Sequence, residues 1–233
     1  MAFGRKKRKD DADDAGLEAA AATAAAEPAR PATTGPWDAA DEPDDDRSRI
    51  DLGGLRVLVP PGVEVRVEVS PEGQVVAATA VDRGSQLQLN AFAAPRSDGI
   101  WGEVRAEIAE ALRAQGGSAE EVAGPYGAEL RARIPSGSGG TTPARFVGTD
   151  GPRWFLRGMI TGPASTDAAQ AERLLEVYRE TVVVRGADAM APRDPLGLRL
   201  PRDAQTPEVD AEPEQVTEEL RPFERGPEIT EIR

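Results

Sequence analysis

The chain has 233 residues, a formal net charge of −13, no cysteine and no histidine, and its three lysines all lie within the first ten residues. These absences exclude disulfides, Ser-His-Asp and Cys-His catalysis, and a Walker-A or Schiff-base lysine in any domain beyond the start; zinc would have only carboxylates as side-chain ligands. The chemistry that remains is that of Asp/Glu, Ser/Thr, Tyr and Arg.

Charge is uneven. Met1 to Arg49 holds 8 basic and 12 acidic residues, Ile50 to Gly186 holds 14 and 17, and Ala187 to Arg233 holds 6 and 12. The near-balanced middle reads as a folded domain, and the acidic total argues against broad nucleic-acid binding by the whole chain. The expected organisation is a disordered, basic-then-acidic arm at 1–49, a single globular α+β domain at 50–186, and an acidic tail at 187–233 carrying a docking segment near 194–201.

The first feature in chain order is Arg5, Lys6, Lys7, Arg8 and Lys9, five consecutive cations. Their functional reading is a contact with nucleic acid or anionic lipid; the plain reading is a solvated start, or a self-contact with the acids that follow. Asp10 to Asp14 then stand where a signal peptide would be apolar, and no run approaches the ~18 apolar residues of a membrane span, so a cytoplasmic setting is expected. From Asp10 to Arg49 the chain is mostly Ala, Pro, Asp and Glu, too polar to offset its own ordering entropy. Trp37 is either an anchor onto the domain or an exposed residue of the arm.

Order is expected from Ile50. Leu55 to Val59 runs into the breaker Pro60-Pro61-Gly62, and Val63, Val65, Val67 and Val69 alternate with Glu64, Arg66 and Glu68, the pattern of a half-buried strand. Val75 to Val81 and Leu87 to Ala93 follow as strands of an antiparallel meander, separated by short turns. Ile100, Trp101, Val104, Ile108, Ala111 and Leu112 form a helical apolar stripe, with Ser97 or Asp98 to cap it and Gly116-Gly117 to end it. Trp101 lies on that stripe, which favours core packing over ligand stacking.

Glu121 to Pro125 and Leu130 to Ile134 read as two more strands, followed by a Gly/Ser-rich loop from Pro135 to Thr142. Asp150-Gly151 between apolar runs predicts a hairpin turn at Thr149 to Pro152. Ser165, Thr166 or Asp167 can cap a second helix whose face carries Ala171, Leu174, Leu175, Tyr178 and Val182, and Val182 to Val184 either extend it or form a last short strand. The fold class is therefore α+β: a mostly antiparallel sheet with two amphipathic helices, arranged as two strands-then-helix half-repeats. In the tail, Leu196, Leu198 and Leu200 alternate between Pro195 and Pro201, which suits an extended peptide on a groove or a sheet edge.

The Phe3-Gly4-Arg5-Lys6-Lys7 start, the acidic linker, the domain from about Arg49 to Gly186, the run from Arg153 to Gly158 and the segment from Asp194 to Pro201 together resemble an uncharacterised family of actinobacterial proteins, a domain of unknown function. The resemblance implies one globular unit and a bacterial cytoplasmic setting. It carries no activity, cofactor or site residues.

Candidate chemistry is sparse. Glu103 and Glu107, and Glu176 and Glu180, are carboxylate pairs at i,i+4 spacing, best read as solvated helix faces. Arg131, Arg133, Arg145, Arg153 and Arg157 would hold an anion if they shared a face. No catalytic, metal or cofactor residue is assigned, and no cofactor is expected. Two functions follow: a non-enzymatic interaction or adaptor module with an unknown protein partner, or a small ligand-binding domain or enzyme using Asp/Glu and Arg.

Overall fold

The computed structural model describes residues 35–201, apart from Ser97, Asp98 and Ser138. Its elements are β1 (Trp37–Asp38), β2 (Arg49–Asp51), β3 (Leu55–Leu58), β4 (Glu64–Val69), β5 (Val75–Asp82), β6 (Ser85–Ala93), α1 (Trp101–Ala114), β7 (Ser118–Gly124), β8 (Gly127–Pro135), β9 (Thr141–Gly151), β10 (Trp154–Thr161), a 3-10 turn at Pro163–Ser165, α2 (Ala168–Arg179) and β11 (Val182–Val183). The fold is α+β. Seven strands form the main sheet in the order β4-β5-β6-β10-β9-β8-β7, every pairing antiparallel, and β1-β11-β3-β2 form a small one. Among the described residues no helix is long and apolar enough to cross a membrane.

The main sheet is two meanders joined at their last strands, β6 against β10, and each meander is followed by its helix. Each helix crosses to the other half: α1 packs on β7, β8 and β9, whereas α2 packs on β5 and β6. They lie on opposite faces, because successive strand residues point to opposite sides. Along β10, Trp154, Leu156 and Ile160 join the core beneath α2, while Phe155 joins the core beneath α1. Two parts of the sheet are thus left without a helix, on opposite sides: β4 to β6 with the Arg157 end of β10 on the α1 side, and β7 and β8 with the Pro143 to Arg145 end of β9 on the α2 side.

Two glycines let the helices approach. A Cβ at Gly148 would collide with the Trp101 ring from α1, and one at Gly158 would press on Tyr178 from α2. Trp101 is 1% exposed, stacks on Phe155 at 5.6 Å and donates its indole N–H to the Ala128 carbonyl at 2.7 Å. Tyr178 is fully buried; its hydroxyl donates to the Leu156 carbonyl and accepts from the Thr149 hydroxyl. Asp167 caps α2, accepting from the backbone N–H groups of Ala169 and Gln170.

The structure departs from the sequence reading in two places. Asp150-Gly151 is not the hairpin turn: Gly151 still pairs with Trp154, so Pro152 and Arg153 make the turn, with Arg153 at a φ of 65°. Proline followed by a positive-φ residue is the order of a type II turn. Asp150, released from turn duty, caps α1 across the sheet, accepting from Ile100 N–H at 2.8 Å and from Trp101 N–H. The expected cap residues Ser97 and Asp98 lie outside the described residues. On α2 the buried set is Ala171, Leu174, Val177 and Tyr178; Leu175 is partly buried, and Val182 belongs to β11, because the helix ends at Arg179.

Bonded segments also lie on both sides of the central span 50–186. Described elements begin at β1, which pairs in parallel with β11, and Trp154 donates its indole N–H to Asp38 at 2.7 Å. At the other end, residues 193–199 form a strap bonded to both sheets. Arg193 N–H donates to Ala93, Ala93 N–H to Asp194 and Leu196 N–H to Ala91; Gly54 N–H donates to Gly197 and Arg199 N–H to Leu52. A strand of two residues such as β1 is too short for periodicity to reveal, whereas the strap falls on the segment near 194–201 whose alternating leucines suit an extended, docked peptide.

Candidate functional site

The strap places the three tail leucines differently. Leu196 is 5% exposed and belongs to the core under α2, Leu198 packs partly against that core beside Gly53 and Val75, and Leu200 is exposed. Arg199 bonds to Asp51 at 2.9 Å. The Asp51 carboxyl is held below the usual carboxylate range, first by the Gly53 backbone N–H and then by Arg199. Arg193 reaches α1 and bonds to both Glu107 and Glu103. The other carboxylate pair is engaged similarly: Arg47 lies within salt-bridge distance of Glu176 and Glu180, and Arg49 of Glu180. Both acidic pairs are therefore ion-paired with segments flanking the central domain.

The five candidate arginines do not share a face. Arg131 and Arg145 are register partners, and Arg133 is two residues along β8, so these three project on the α2 side. Arg157 registers with Gly148, of opposite parity to Arg145, and projects on the α1 side. Arg153 sits in the hairpin turn. Arg145 is 4% exposed and makes a two-pronged bond to the buried Glu129, at 2.7 and 3.0 Å, leaving neither group available to a ligand. Arg131 donates to the Ser165 carbonyl, and Arg133 is exposed and forms no ion pair among the described residues. Arg131 and Arg133 line a cleft of about 290 Å³ with Ser118, Glu120, Pro143 and Thr166.

Arg157 is the electrostatic anomaly of the fold. It is half-buried on the helix-free half-face formed by β4 to β6 and β10. Its Nη2 donates to Asn90 Oδ1 at 3.1 Å, and its guanidinium lies over the Phe92 ring at 5.5 Å. Its Nε is buried without a hydrogen-bond partner, and no carboxylate pairs with it among the described residues. Burial pushes its pKa down, with no acid to offset the effect. Asn90 is itself held by the Val76 carbonyl, and Val76 is 49% exposed beside it. Farther out on this face, Glu68 accepts from Thr79 and Gln88.

Asn90, Phe92, Ser118 and Glu120 were not singled out by sequence reasoning. For Asn90 and Phe92 a signal existed, since both lie on the outward phase of a strand whose other phase is Leu87, Leu89 and Ala91. Arg5, Lys6, Lys7, Arg8 and Lys9 lie outside the described residues.

The architecture defines a class: an α+β domain with a helix on each face of one sheet, closed by a strap from beyond its last strand. The chain belongs to a family described as "Protein of unknown function (DUF3710)", whose model matches residues 35–207. That span includes β1 and the strap. No curated protein matches the sequence. Among solved structures, the solution structure of cyanobacterial PsbP (CyanoP) from Synechocystis sp. PCC 6803 is similar at 18% identity and a TM-score of 0.36, covering 58% of this chain and 91% of that one.

Proposed function

We propose that the protein is a non-enzymatic interaction module of the cytoplasm, and that the helix-free half-face around Arg157 engages a partner protein through a carboxylate. The observation that supports this reading is the half-buried guanidinium whose Nε has no partner and which has no acid beside it among the described residues. A charge drawn from water without a counter-ion is costly, so its retention calls for a group that arrives on binding. The surroundings fit a protein partner. The surface is a sheet face, with Arg157 and Phe92 central, Met159 half-buried and Val76 exposed. Arginine and aromatic anchors dominate binding hot spots. With no cysteine, the chain has no disulfide that would need an oxidising compartment.

The run Arg5 to Lys9 extends this reading to an anionic surface, nucleic acid or lipid. Its binding should weaken steeply with salt and vanish when all five charges are neutralised.

The test is affinity capture from the source cell with the full chain, Arg157→Met and, as control, the exposed turn variant Arg83→Gln. The reading expects a partner held by the wild type and by Arg83→Gln and released by Arg157→Met. Equal retention by Arg157→Met would refute it.

A further inference from the structure

We infer that the cleft on the opposite side of the sheet, between β7 to β9 and the 3-10 turn, is a binding site for a small oxyanion, a phosphate ester or a polycarboxylate. It shares no residue with the Arg157 face, so it stands or falls separately.

The strand register builds the site. Ser118, Arg133 and Pro143 lie in one row across β7, β8 and β9, and Glu120, Arg131 and Arg145 lie in the next. Arg131 and Arg133 are two residues apart on one strand, so they rise from the same face about 7 Å apart at their bases. The bond from Arg131 Nη1 to the Ser165 carbonyl, at 3.3 Å, ties that guanidinium to the wall of the cleft and leaves its other N–H groups to a ligand. Arg133 spends no charge on an acid among the described residues. Ser118 adds a hydroxyl, and Pro143 closes one side without a polar demand. Arg145, next in the row, takes no part, because Glu129 already satisfies it. Two planar forks with open donors suit a multi-oxygen anion.

Size and charge narrow the ligand. A volume of about 290 Å³ lies at the lower end of ligand pockets, which suits pyrophosphate or citrate better than a nucleotide. Glu120 faces Arg131 across the strand pair and forms no ion pair among the described residues, and its negative charge opposes an incoming anion. Removing that charge should therefore tighten binding.

The test is titration calorimetry of the full chain with pyrophosphate and with citrate at fixed ionic strength. Arg133→Gln should weaken the preferred probe about tenfold or more, the loss of one charge-assisted contact. Glu120→Gln should tighten it severalfold, and Arg66→Gln, on the other side of the sheet, should leave it unchanged. Preference for pyrophosphate assigns a phosphoryl ligand; preference for citrate assigns a carboxylate one. Arg131→Gln serves as a second variant, with its melting temperature measured alongside because Arg131 also holds the Ser165 carbonyl. No heat from either probe up to about 10 mM, or equal weakening by Arg133→Gln and Arg66→Gln, would overturn the inference.

Discussion

Replacing Arg157 by methionine is expected to stabilise the free protein. The wild-type side chain makes one bond to Asn90 and one stacking contact with Phe92. The stack contributes roughly 0.5–1 kcal/mol and the bond about 1.5–3, as the donor is charged. Against them stand a buried, unpaired Nε–H, which costs about 1–3 kcal/mol, and the desolvation of a charge with no counter-ion, which costs several kcal/mol more in a dry setting and less at a half-buried one. Methionine keeps the apolar stem and places a sulfur against Phe92. Asn90 keeps its bond to the Val76 carbonyl. The balance favours the variant by about 1 kcal/mol, or roughly 2–4 °C in melting temperature for a protein of this size. Urea denaturation with an unchanged m-value reads the difference. A loss of about 1 kcal/mol or more would show that Arg157 is a net structural contact and would refute the reasoning.

Three further outcomes are expected. Leu196→Ala should cost about 2–4 kcal/mol, whereas Leu200→Ala should stay within about 0.5 kcal/mol, because only the first lies in the core; equal midpoints in urea would contradict the strap geometry. Asp150→Ala should cost about 1–2 kcal/mol by uncapping α1, with faster amide exchange at Ile100 and Trp101; unchanged exchange there would exclude the cross-sheet cap. Asp51, whose folded pKa is lowered, contributes stability that is fully present above the unfolded value of about 3.9 and is lost as pH falls through the lower folded value. Asp51→Asn should therefore flatten the acid limb of the stability profile below about pH 4, and superimposable limbs would disprove the linkage.

Much of the fold was legible in the sequence because its signals are periodic. The Leu87-Leu89-Ala91 phase of β6 and the Ala171-Leu174-Tyr178 stripe of α2 each declare a buried face, and the valine phase of β4 does so in part: Val65 and Val67 pack partly on the core, whereas Val69 is 51% exposed at the strand end. Signals that depend on partners distant in sequence were not legible. Asp150 carries the residue type of a turn and of a cap alike, and only the arrival of α1 over Gly148 decides between them. β1 and β11 hold two residues each and acquire strand geometry only by pairing with one another and with β3. The crossing of the helices, which leaves the two half-faces, has no local signature. Arg157 is marked by the absence of an acid in space, whereas in sequence it is one arginine among several on alternating strands. Likewise, nothing local separates Arg145, consumed by Glu129, from Arg133, which carries no acid.

The central claim is that the Arg157 half-face receives a carboxylate-bearing partner. Photo-crosslinking tests it most directly: a photoreactive residue at the exposed Val76 position, in the full chain, expressed in the source cell with Arg157 intact or replaced by methionine. The account predicts one dominant protein adduct with Arg157 present, and its loss in the Arg157→Met chain while that chain melts at the same or a higher temperature. The same adduct at the same yield in both chains would contradict it.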